Sequence, residues 1–181
     1  MVTDALEGDR TIGMAMLRPG WEEATEPLPV LPVGGAGEIV DSERLPDGRY
    51  NIVLQGRFRY RILAESPADP YRVARVQEVP SVGFASPDET SRVSLLAVQL
   101  YAEVSRSMEL SPLPEESLSS ERLASELAVR LRYPPEELQE LLETDAVSER
   151  FTALLTRMIE WERRIRLLAP HRPHDVDGRW N

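Results

Sequence analysis

The chain has 181 residues and a formal net charge of −10; all 21 basic residues are arginine, cysteine is absent, and there are two histidines. These absences exclude disulfides, thiolate metal sites, a cysteine nucleophile, a P-loop lysine, a Schiff base and a serine–lysine dyad, so the composition leans strongly against an enzyme. The acids are spread along the chain, which sets its field against phosphate backbones in general. No apolar run is long enough to span a bilayer and no basic-then-apolar signal opens the chain, so the sequence predicts a cytoplasmic protein without a membrane segment.

Up to about residue 82 the pattern is short strands punctuated by turns. Thr11–Leu17 reads as a strand ended by Arg18-Pro19-Gly20. Within it Ile12, Met14 and Met16 alternate with Gly13 and Ala15, which predicts one apolar face. Residues 31–40 read as a glycine-rich strand, where small residues let another backbone or a bulge approach closely. Leu45-Pro46-Asp47-Gly48-Arg49 is a hairpin turn: proline pre-sets φ, aspartate caps the turn, and glycine supplies positive φ. In the strand that follows, Phe58, Tyr60 and Ile62 fall on one face, and Arg57, Arg59 and Arg61 on the other. Tyr71–Val79 alternates again. This half reads as a small, mostly antiparallel sheet or barrel.

From Pro87 the period becomes helical. Val93, Leu96, Ala97, Leu100, Tyr101, Val104 and Met108 form a stripe at three- and four-residue spacing. A second helix carries Leu123, Leu127 and Leu131. A third starts at Pro135 with Glu136 and Glu137 near its positive dipole end. Asp145 is the expected N-cap of a last helix. There Val147, Phe151, Leu154, Met158, Trp161, Ile165 and Leu168 keep four-three spacing. That seam either packs on its own helical neighbours or offers Met158, Trp161 and Ile165 to a second copy or another partner. Glu160 and Glu162 stand four residues before Arg164 and Arg166 as ion-pair candidates.

The order Gly8-Asp9-Arg10, Ile12-Gly13-Met14-Ala15, Pro32-Val33-Gly34, Gly37-Glu38-Ile39-Val40, Leu45–Tyr50 and Gly56-Arg57-Phe58-Arg59 resembles the N-terminal substrate-recognition domain of Lon proteases. It is more similar still to free-standing bacterial proteins made of this domain alone. Residues 70–76 continue the match, as do Leu141-Leu142-Glu143, Glu149-Arg150 and Leu154-Leu155. The resemblance implies an α+β fold: a PUA-like (pseudouridine-synthase-and-archaeosine-transglycosylase-like) small β-barrel or sheet over residues 1–82, then a C-terminal helical bundle over 87–168. Residues 169–181 read as a flexible tail. Such domains open with a further Leu-Pro-rich strand and a second strand, whereas Met1–Gly8 resembles the helix that follows them. The barrel is therefore expected to lack its first strands and to leave an edge near Thr11–Leu17.

The function implied is recognition of exposed segments of client proteins, without catalysis or a cofactor, in a proteolysis-related setting. Candidate substrate-binding residues are Arg57, Arg59, Arg61, Met14 and Met16. The alternative is an RNA-binding barrel in which the arginine stripe meets phosphate. Other signals are weaker. His171 and His174 with Asp175 and Asp177 carry metal-ligand chemistry but follow the last apolar repeat, so they read as tail and no metal site is expected. Gly34, Gly35 and Gly37 fail the dinucleotide fingerprint, because a strand follows them instead of a helix.

Overall fold

The computed structural model describes residues 1–66 and 70–168. The segment 169–181, expected as a tail, lies outside the described residues together with its two histidines. Two compact units follow one another in the chain, the first spanning Met1–Ser81 and the second beginning at Val82.

The first unit contains α1 (Val2–Glu7), β1 (Thr11–Met14), a 3-10 turn at Trp21–Glu23, β2 (Val33–Arg44), β3 (Tyr50–Ser66) and β4 (Val73–Val79). Its strands form one antiparallel sheet in the order β1-β2-β3-β4. The β2–β3 turn forms as its sequence dictates. Gly48 sits at φ +86, the Gly48 N–H donates to the Leu45 carbonyl at 3.0 Å, and Asp47 Oδ1 accepts from the Arg49 N–H at 3.0 Å. Register shifts between Ala36 and Gly37, Ile39 and Asp41, and Ile62 and Ala64 interrupt the ladders. Each such bulge bends its strand and adds twist.

Tyr60 is 5% exposed and lies across two glycines. A Cβ on Gly13 would come 2.9 Å from its hydroxyl oxygen; one on Gly34 would come 2.6 Å from its ring and collide with the Met14 carbonyl oxygen. The glycines thus give an aromatic ring its bed.

Strand β1 is shorter than Thr11–Leu17, and its expected apolar face does not form. Ile12 is 6% exposed while Met14 is 61% exposed. Met14 pairs with Gly35, but the Met16 carbonyl accepts from Leu31 at 2.7 Å. Two residues along one strand therefore match four along the other, a jump at Pro32, which has no N–H to continue the ladder. Beyond that break the alternation no longer assigns sides.

The second unit comprises α2 (Pro87–Met108), α3 (Ser120–Arg130), α4 (Pro135–Glu143) and α5 (Val147–Leu168). Ser86 Oγ caps α2 by accepting from the Glu89 N–H at 3.2 Å, and Ser119 Oγ caps α3 through Arg122. Pro135 occupies the first turn of α4. One apolar core joins the helices through Ala97, Tyr101, Val104, Leu127, Leu131 and Phe151, among others. The α2 stripe is narrower than its spacing implies, since Leu96 and Met108 are exposed. No described helix is long and apolar enough to cross a membrane.

Helix α5 packs inward. Val147, Phe151, Leu154 and Met158 are all buried in the bundle's own core, so Met158, at 0% exposure, offers no surface to a partner. Asp145 is not the cap, because α5 begins at Val147. The Val147 N–H donates to the Val82 carbonyl at 2.8 Å, and the Val82 N–H to the Asp145 carbonyl at 2.9 Å. The carbonyl of a passing backbone segment thus takes up one of the N–H groups that a helix start leaves free. Of the expected ion pairs on its outer face, Arg166 meets Glu162.

Candidate functional site

The sheet unit holds a groove of about 560 Å³. Its floor is the face carrying Phe58, Tyr60 and Ile62 from β3, Ala36 from β2, and Ala74 and Val76 from β4. The alternation of residues 58–62 builds this floor: Tyr60 is buried, and Phe58 and Ile62 are half-buried. Helix α1 contributes Met1, Asp4 and Ala5 to one wall, and residues 71–73 contribute another. Both edge strands reach the same groove, β1 through Thr11, Ile12 and Gly13, with Ala15 just beyond its end, and β4 through Val73 and Val76. The sheet is thus a barrel with one side open.

Polar groups sit at the rim. The Tyr71 hydroxyl holds the Asp4 carboxyl below its usual range, and the same contact raises Tyr71. Burial raises Tyr60. Arg72 pairs with Glu65 and donates to the Leu28 carbonyl, tying the start of β4 to the loop before β2. Among the described residues no three His, Asp or Glu side chains cluster as metal ligands. The groove offers apolar contact and backbone hydrogen bonds.

The backbone of β1 supplies those bonds. The Ile39 N–H donates to the Arg10 carbonyl at 2.8 Å, and the register pairs Thr11 with Glu38, Ile12 with Gly37, Gly13 with Ala36 and Met14 with Gly35. In an antiparallel ladder hydrogen-bonded and non-hydrogen-bonded pairs alternate. Ile12 and Met14 therefore turn their N–H and C=O groups toward β2, and Gly13 turns its own outward. The contact between the Met14 carbonyl and Gly34 fits that assignment, and Met16 again faces inward through Leu31. Among the described residues, Gly13 and Ala15 turn their backbone groups away from β2.

The residues first singled out lie elsewhere. Arg57, Arg59 and Arg61 are on the face opposite the groove and do not form an exposed stripe. Arg59 is 7% exposed, and its Nη2 donates to the Pro80 carbonyl at 3.0 Å. Its guanidinium reaches the segment just past β4, where Val79 is the register partner of Arg59. Arg57 is exposed and paired with Glu38, and Arg61 is exposed, so Arg59 departs from the expected stripe while its two neighbours keep to it. Met14 and Met16 do not line the groove. On α5, Trp161 and Ile165 are half-buried, and Trp161 faces the Arg157 guanidinium at 5.5 Å from the ring centroid. Arg157 also lies 4.1 Å from the Tyr133 ring centroid and pairs with Glu137 at 2.6 Å. The groove's own floor was visible in the sequence as a core face; nothing in the alternation signals that the face would lack a cover.

A family model described as the ATP-dependent protease La (LON) substrate-binding domain matches residues 1–160. The chain belongs to this family. It is 32% identical over 171 residues to a Lon protease of Dictyoglomus thermophilum, covering 88% of this chain and 21% of that protease. A Lon protease of Roseiflexus castenholzii is 31% identical over 170 residues, covering 91% of this chain and 21% of the protease. The chain thus spans about a fifth of the length of these Lon relatives, the part that the family model describes as substrate-binding. In fold it resembles the N-terminal domain of Lon protease from the Mycobacterium avium complex, with TM-score 0.54, 17% identity, and coverage of 82% of this chain and 89% of that one. A Lon N-terminal domain protein from Xanthomonas campestris gives TM-score 0.50 at 16% identity, covering 81% and 88%. The α+β arrangement of sheet followed by helices is the Lon N-terminal fold.

Proposed function

We propose that this chain is a non-catalytic recognition module that binds exposed segments of protein substrates in the cytoplasm. The observation that carries the reading is the extent of the family match. It takes in nearly all of this chain and about a fifth of the Lon proteases it aligns with. The groove supports it physically, because an apolar floor open to solvent gains by covering itself with apolar segments that a folded protein would keep buried.

Fluorescence anisotropy with a reduced and alkylated protein, and with the same protein folded, tests this. The unfolded form should bind and the folded form should bind at least about tenfold more weakly, a difference of about 1.4 kcal/mol. Equal affinity for the two forms, or none for either, overturns the reading.

A further inference from the structure

We infer that Asp47-Gly48, in the turn between β2 and β3, is a latent site of isoaspartate formation, held shut by the turn's own hydrogen bonds and by Arg49. Its chemistry stands apart from substrate recognition. Glycine after aspartate leaves the intervening amide unhindered by a Cβ, and both residues are exposed. In the reaction the Gly48 nitrogen loses its proton and attacks the Asp47 carboxyl carbon. An N–C bond forms and the bond to one carboxyl oxygen breaks. That oxygen leaves as water, carrying the amide proton and the proton of the carboxylic acid. Water then opens the resulting succinimide ring. Opening at the Asp47 main-chain carbonyl sends the backbone through the side chain, so the product has the same composition and one more carbon in its main chain.

The fold opposes each requirement of that ring closure. The attacking nitrogen is engaged, since the Gly48 N–H donates to the Leu45 carbonyl at 3.0 Å. Both carboxylate oxygens are held as well: Oδ1 accepts from the Arg49 N–H at 3.0 Å, and Oδ2 from Arg49 Nε at 2.8 Å. Turning the carboxyl carbon onto the Gly48 nitrogen breaks these bonds. Loss of water needs the protonated acid, whereas the Arg49 side chain holds the Asp47 carboxyl below its usual range, in the form without a good leaving group. The Leu45 N–H, donating to the Arg49 carbonyl at 2.8 Å, closes the hairpin around them. The reaction therefore waits on local opening of the turn. Once made, isoaspartate hinders reclosure, because a lengthened main chain cannot keep both the Leu45–Arg49 and the Gly48–Leu45 bonds. The site thus records the time that the hairpin has spent open.

The test ages the whole chain at neutral pH, folded and in urea, beside Arg49→Ala. Trypsin cuts after Arg44 and Arg49 and releases Leu45–Arg49; in the variant the fragment runs on to Arg57. The isoaspartyl fragment keeps its mass, shifts in retention time and accepts a methyl group from an isoaspartyl methyltransferase. The urea-unfolded chain should form it roughly tenfold faster than the folded chain or more, since only the opened turn reacts. Arg49→Ala should accelerate the folded chain roughly two- to fivefold, the range that exposed ion pairs allow, and leave the rate in urea unchanged. Equal rates in the folded and unfolded chain overturn the proposal. An Arg49→Ala chain that ages no faster than the original when folded overturns the part given to Arg49.

Discussion

The two units solve the problem of burial differently. In the helical unit, thirteen apolar residues are buried in one cluster, several of them with no exposed surface at all. In the sheet unit, five described apolar residues are buried: Ile12, Val33, Ala36, Ile39 and Tyr60. Val40, Val53, Leu63, Val73 and Val76 stay exposed there. Amphipathic helices close on each other from all sides, whereas a single curled sheet covers one face only where something lies against it. The second unit also exposes Leu95, Leu96, Val129 and Ile159, so the two differ in the size of the core they close and not in exposed apolar residues. Stability should therefore be concentrated after Val82.

The largest effect that sharpens this contrast is Phe151→Ala. Phe151 is fully buried and its ring centroid lies 5.6 Å from that of Phe84. Truncation should cost about 3–5 kcal/mol, through lost transfer energy and a residual cavity, read as a lower urea midpoint followed by helical circular dichroism. A helical unit that tolerated it would not be the rigid partner of the comparison.

Within the sheet, two adjacent glycines give the next test. Gly34→Ala places a methyl group against the Met14 carbonyl and the Tyr60 ring, whereas Gly35 has nothing within 4 Å of a built Cβ. The first should destabilise by about 1–3 kcal/mol. Gly35→Ala should stay within about 0.5 kcal/mol. Comparable losses at both positions would mean that Tyr60 is not seated as described.

A pH effect of similar size belongs to the helical unit. Burial pushes the Tyr133 hydroxyl up to about 12, only partly opposed by Arg157. Its folded pKa stands above the ordinary value of 10.0, so its neutral form is favoured in the fold. That stability is complete below pH 10 and is lost as pH rises toward 12, worth on the order of 2 kcal/mol. Denaturant midpoints measured across this window should fall with pH, and Tyr133→Phe should remove most of the fall.

The smallest effects are on the arginine face. Arg57→Ala removes an exposed pair with Glu38 and should change stability by less than about 1 kcal/mol. Arg59→Ala should cost more, about 1–3 kcal/mol, since it strips a nearly buried hydrogen bond to Pro80. Thermal melts of the two variants should therefore differ, although the strand pattern treats the residues as equivalent.

That last pair marks the limit of the sequence. Period-two alternation correctly put Phe58, Tyr60 and Ile62 on one side and the arginines on the other, because strand geometry is local. It could not say that Arg59 would be buried against Pro80, since that depends on a carbonyl twenty-one residues away. The hairpin at Pro46-Asp47-Gly48, the caps at Ser86 and Ser119, and the start of α4 at Pro135 were equally legible, being set within a few residues. The cap at Asp145 failed for the opposite reason, because Val82 supplies the acceptor from outside the helix. The groove itself was legible only as an edge near Thr11–Leu17. Its outward groups, Gly13 and Ala15, emerge from ladder pairing, while the methionines that looked adhesive by type stand outside it.

The bed beneath Tyr60 constrains how relatives of this sheet can drift. Position 34 is closed by main chain: the Met14 carbonyl blocks any Cβ, whatever stands at 60. Position 13 is closed only by the tyrosine ring. A sequence that loses the aromatic at 60 is freed to acquire a side chain at 13 but not at 34. The double change Gly13→Ala with Tyr60→Leu should accordingly be milder than Gly13→Ala alone. One glycine is thus a fixed requirement of the strand pairing, and the other is inherited together with its neighbour.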